Sequence, residues 1–199
     1  MYIFAAMLNR DAFNAEMFKY DGDSYLEFLA SLDMESAKAL NYSEEDLEQI
    51  KSNLNQIEEQ INFVQLDAKL YNHLSEIEKD VKWYLILEPL CKESTLLFPW
   101  IYAMAYTNES FDLKLCIQAE EIESVKSIQG ANYPSFPQLI FDAEGVEALD
   151  EWGPRPQSAR RALEELKVSK DWKTYTDWYK KEGFNDLQTE FVNLSKSWL

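Results

Sequence analysis

The stretch Trp83-Tyr84-Leu85-Ile86-Leu87-Glu88-Pro89-Leu90-Cys91-Lys92-Glu93-Ser94 decides the fold. Its first five residues form a short, continuous apolar run, the pattern of a strand buried on both faces. Glu88-Pro89 ends that strand. A helical pattern then runs from Cys91 to about residue 107, so Cys91 stands where a strand gives way to a helix. This is a good place for a reactive thiol, because free N–H groups and the positive end of the helix dipole stabilise thiolate. Lys92 adds to the effect, whereas Glu88 and Glu93 oppose it.

Toward the C-terminus, residues 111–117 read as a second strand, 120–129 as a helix and 138–141 as a third strand. Ala143-Glu144-Gly145 is a turn. Residues 146–152 read as a fourth strand, antiparallel to the third, and 157–167 as a helix. The order β-α-β-α-β-β-α predicts an α/β fold, a mixed sheet flanked by helices. The tail, 171–199, reads as two helices broken at Gly183, the second capped by Asn185 with Gln188 three residues on. Trp172, Tyr175, Trp178 and Tyr179 share one face of the first. Leu187, Phe191, Leu194 and Trp198 share one face of the second.

Toward the N-terminus the period is helical. Leu47, Ile50, Leu54, Ile57 and Ile61 recur at spacings of 3 and 4, and Ser43 with Asp46 resembles a capping box. Leu66, Leu70, Leu74 and Ile77 continue the pattern, and a further helix is expected over 24–32. The apolar start, Met1 to Leu8, is expected to dock on the core as a helix or strand. The division is a helical extension over 1–80, an α/β domain over 81–168, and a helical C-terminal extension over 169–199 packed on the same domain.

The 199 residues are 46% apolar, enough for a sizeable core. Acidic residues number 36 against 19 basic, a net charge of −17 that repels phosphate backbones and anionic lipid heads. Neither a nucleic-acid nor a membrane partner is expected, and no segment reaches the length of a membrane span. His73, Cys91 and Cys116 are too few and too far apart for a structural zinc site, so no metal and no cofactor is called for. Two cysteines make no disulfide framework, which fits a reducing cytoplasm. Cys116, in mid-strand, reads as a small core residue, and His73 as a surface histidine. The oligomeric state is left open.

Cys91-Lys92-Glu93-Ser94 is a C-x-x-S arrangement. Pro99 lies inside the helix that follows, where a kink is expected. Phe136-Pro137 precedes the third strand, making Pro137 a candidate for a cis bond. Gly153 follows sixteen residues later. In this order the residues resemble the thioredoxin family. A closer resemblance is to a bacterial branch, best known from Bacteroidetes, with a helical N-terminal extension. Its E-P-W-C-G-D-like, S-I-P-K-L-like and W-G-P-R-P segments correspond here to Glu88-Pro89-Leu90-Cys91-Lys92-Glu93, Ser135-Phe136-Pro137-Gln138-Leu139 and Trp152-Gly153-Pro154-Arg155-Pro156. The likeness covers roughly residues 40 to 195.

The resemblance implies a thioredoxin-like fold with Cys91 as nucleophile and Ser94 in the resolving position. It also implies that Phe136 and Pro137 form a substrate-docking edge, with Leu90, Trp152 and Gly153 lining the same surface. Ser94 cannot resolve a mixed disulfide, so monothiol exchange with a protein or low-molecular-weight thiol or disulfide is expected. Leu90 stands in place of tryptophan, and Leu85 where thioredoxin has a buried acid. The alternative is a redox-inactive module that binds a peptide or partner protein beside the Pro137 loop. An iron–sulfur carrier is a weaker reading. For Arg155 a helix N-terminal salt bridge, or a contact to carbonyls near Gly153, ranks above contact with an anionic substrate.

Overall fold

The computed structural model describes residues 9–130, 133–146, 149–166 and 172–199. The apolar start, the middle of the expected fourth strand, the last residue of the helix expected over 157–167 and the first of the tail lie outside these residues. In chain order the helices are α1 (Gly22–Ser31), α2 (Met34–Ala39), α3 (Glu44–Ile61) and α4 (Ala68–Ser75). Strand β1 (Val81–Leu87) precedes α5 (Lys92–Ala105), β2 (Phe111–Ile117) and α6 (Ile122–Gln129). Then come β3 (Gln138–Ala143), β4 (Asp150–Trp152), α7 (Gln157–Leu166), α8 (Trp172–Trp178) and α9 (Phe184–Leu194). The α/β expectation holds: a thioredoxin-like mixed sheet is flanked by helices, with helical elements before and after it.

Among the described residues the sheet has four strands in the order β2-β1-β3-β4. β1 runs parallel to β2 and antiparallel to β3, and β3 pairs antiparallel with β4. Side chains alternate across a strand, so β1 serves two cores. Val81, Trp83, Leu85 and Leu87 enter the larger one, with α1 to α5 and the C-terminal helices. Tyr84 and Ile86 enter the smaller one, with α6 and the segment around Met17 and Phe18. Trp83 is buried against Phe141, Phe191 and Trp198. The outer edge of β2 is met by Tyr20, whose N–H and C=O exchange hydrogen bonds of 3.2 and 2.7 Å with Leu115.

The Ser43–Asp46 capping box forms at the start of α3, and a second one forms at Asp21–Ser24 on α1. α5 carries Pro99 inside it. The expected break at Gly183 is corrected: α8 passes through a π-helical turn, Tyr179–Gly183, straight into α9. Gly183 is helical and Asn185 caps nothing. The glycine is there for space, since a Cβ would stand 2.7 Å from both the Trp178 and Tyr179 rings. His73 is also corrected: it is half-buried, with Nε2 2.9 Å from Ser195 Oγ, tying α4 to the C-terminus.

Candidate active site

Cys91 is the N-cap residue of α5. A turn from Glu88 to Cys91, closed by the Cys91 N–H on the Glu88 carbonyl at 2.9 Å, brings it there, and residues before β1 hold that segment. Asn53 of α3 donates from Nδ2 to the Pro89 carbonyl at 2.7 Å, while Gln49 donates to Asn53 Oδ1 at 2.8 Å. Tyr42 donates its hydroxyl to Glu88 Oε1 at 2.9 Å, and the Leu90 N–H donates to the same oxygen at 3.2 Å. Burial pushes the Glu88 carboxyl above its ordinary value, against these two donors.

The Cys91 thiol donates to the Phe136 carbonyl at 3.5 Å. Burial raises its pKa, and the Glu93 charge adds slightly to that. The N–H groups of Ser94 and Glu93 and the Ser94 hydroxyl pull it down, but burial wins. The helix start does not make this a low-pKa thiol in the resting state. Ser94 is 2% exposed, and its Oγ makes no hydrogen bond of normal geometry among the described residues. Both cysteines are free, and Cys116 is buried in the smaller core with its pKa pushed up to about 12.

Behind the thiol lies a polar cluster. The Glu93 side chain, 5% exposed, accepts hydrogen bonds from Tyr175 at 2.6 Å and Tyr179 at 2.8 Å. Arg155 places Nε 3.2 Å from Glu93 Oε1. That N–H is not aligned on the oxygen, so charge rather than a hydrogen bond holds the pair. The helix N-terminal salt bridge expected of Arg155 thus forms, on a buried carboxylate in the first turn of α5. Arg160 reaches the Gly153 carbonyl instead, at 3.5 Å. Burial raises the Glu93 carboxyl, and Arg155 and the tyrosines oppose the rise.

The Tyr133–Pro134, Phe136–Pro137 and Gly153–Pro154 bonds are cis. Gln129 at the end of α6 braces this loop, donating to Ser135 O at 2.7 Å and accepting from Ser135 N at 3.1 Å. Gly153, at φ 127°, packs against the Pro137 carbonyl so closely that a Cβ would collide with it. Trp152 is buried and donates from Nε1 to Glu190 Oε2 at 2.9 Å.

Between these parts lies a cleft of about 510 Å³. Of the sequence-derived site residues, Leu90, Cys91 and Phe136 line it, whereas Ser94, Pro137, Trp152 and Gly153 stand behind the lining. The remaining walls are Glu88, Gln118, Tyr133, Pro134, Ser135, Pro154 and Arg155. Gln118 donates to the Tyr133 hydroxyl at 2.7 Å, closing one side. Sequence reasoning passed over Gln118 and Tyr133. Their signal was position: one directly follows β2, and the other stands in the proline-rich approach to Pro137.

A family model described as thioredoxin matches residues 38–190. No curated protein matches the chain. Two solved structures share the fold at 11% identity. A protein of unknown function from Pseudomonas aeruginosa has a TM-score of 0.60, over 92% of this chain and 96% of that one. A crystallised HIV epitope scaffold has a TM-score of 0.59, over 92% and 97%. Among the described residues, no helix is long and apolar enough to cross a membrane.

Proposed function

The chain belongs to the thioredoxin family, and from that premise we propose that it performs thiol–disulfide exchange through the single thiol of Cys91. The observation that carries this reading is the place of Cys91, which lines the cleft at the start of α5 with its thiol on the Phe136 carbonyl. Within the family we assign the chain to the bacterial branch bearing Trp152-Gly153-Pro154-Arg155-Pro156, working in a reducing cytoplasm.

In this reaction the Cys91 thiolate attacks one sulfur of a disulfide RSSR. The Cys91–S–S–R bond forms, the substrate S–S bond breaks, and RS⁻ leaves with the electron pair. Ser94 supplies no second thiol. A low-molecular-weight thiolate therefore attacks the sulfur of R, forms a disulfide with it and releases Cys91 as thiolate. Leu90 and Phe136 flank the incoming sulfur, while Pro137, Trp152 and Gly153 support the loop from behind.

The test is the rate of mixed-disulfide formation with bis-hydroxyethyl disulfide, followed by intact mass in a Cys116→Ser background. One adduct, lost in Cys91→Ser and faster as pH rises, supports exchange. No adduct without denaturant sinks it. The elevated thiol pKa favours a second reading, a module that binds a peptide or partner protein beside the Pro137 loop, and an inert thiol would bring that reading forward.

A further inference from the structure

Arg155 stands on the wall of the same cleft as Cys91. Its Nε is buried on Glu93, yet the side chain keeps 27% exposure. The accessible part is therefore the stem and the outer Nη edge. No other side chain among the described residues takes that edge. The Glu93–Tyr175–Tyr179 cluster thus aims a cation at the cleft and leaves its two-pronged face open. Such an edge matches a carboxylate.

In a chain of net charge −17, the Gly153–Pro154 corner holds a second guanidinium, Arg160, behind the cleft lining; Lys126, 5.7 Å over the Tyr133 ring, is paired with Glu123 at 2.8 Å. Glu88 is the acid of the lining, and Tyr42 and the Leu90 N–H already hold its Oε1. The loop also disfavours an extended peptide. Gln129 occupies both backbone groups of Ser135, next to Phe136. The cleft volume, about 510 Å³, lies in the range of small-molecule sites.

We propose that the cleft selects low-molecular-weight disulfides bearing a carboxylate, which Arg155 binds while Cys91 attacks the sulfur. This rests on the exchange reading above. The carboxylate-bearing disulfide gives up one half as RS⁻ and the other half stays on Cys91, its carboxylate on the Arg155 edge.

The experiment compares two probes of similar size, dithiodiglycolate and bis-hydroxyethyl disulfide, on the Cys116→Ser protein. The readout is the ratio of their second-order rate constants for the Cys91 adduct. Arg155→Gln should lower that ratio about tenfold, the loss of one charged contact, and Arg155→Lys should recover part of it. Screening of the net −17 raises this ratio with salt in any case, so from about 0.02 to about 0.5 M it should rise less in the parent, where an attraction is screened as well, than in Arg155→Gln. An equal ratio in the parent and Arg155→Gln proteins, or the same salt dependence in both, overturns the carboxylate site while leaving exchange intact. Failure of both probes to react overturns the exchange reading itself.

Discussion

At the scale of single residues, two groups carry opposite lessons. Cys91 sits where helix N–H groups should favour thiolate, but burial and the Phe136 carbonyl favour the thiol. The rate of its alkylation by iodoacetamide is therefore expected to rise with pH to a midpoint above the ordinary 9.0. A midpoint near 7 would show that the helix start prevails. Glu93, in contrast, is read from sequence only as a charge opposing thiolate, because nothing in a local pattern reveals partners on α8 and the loop after β4. In the fold it is a buried carboxylate held by Arg155 and two tyrosines. Glu93→Ala leaves that cation and both hydroxyls without their acceptor, and should cost about 3 kcal/mol in urea denaturation. Burial holds the Glu88 and Glu93 carboxyls above the ordinary 4.5, so the folded state keeps protons the unfolded chain has released. Their contribution is full below that value and is lost as pH rises through the raised pKa values. Glu93→Gln should flatten this decline, as denaturation midpoints across a pH series would report.

At the scale of elements, what was legible was periodic. β1 announced itself as an apolar run because both of its faces are covered, and α3 as a spaced stripe behind a capping box. The order of strands and helices placed Cys91 at the start of α5 and Phe136-Pro137 before β3. Close approach was not legible. A glycine in a helical tail reads as a break, yet Gly183 lets two aromatic rings pack while the helix continues. The cleft walls Gln118 and Tyr133 meet across 15 residues, a pairing with no sequence period. Gly153 is the element-scale test. A side chain there would meet the Pro137 carbonyl at a φ that favours glycine. Gly153→Ala should destabilise the fold by about 2 kcal/mol and misplace the Pro137 loop. An unfolding midpoint equal to the parent's would refute this packing.

At the scale of the whole molecule, the helices before and after the sheet share its core. Trp83 on the central strand is closed over by Phe191 and Trp198, and Asn53 of α3 holds the carbonyl two residues before the thiol. Trp198→Ala should therefore cost about 3 to 5 kcal/mol, the price of emptying a packed aromatic site, although it lies far along the chain from Cys91. Calorimetry would read this as one lowered transition. A separate small transition for the tail would mean that the tail folds independently.

The bridge between Tyr20 and Leu115 has a consequence for solubility. Strand β2 is an outer strand of seven residues, and an uncovered outer strand is a template on which a second molecule can add its own. Tyr20 acts as a gatekeeper by saturating the middle of that edge. Tyr20→Pro removes the N–H that serves the Leu115 carbonyl. The purified variant should then form concentration-dependent oligomers in light scattering under conditions where the parent does not.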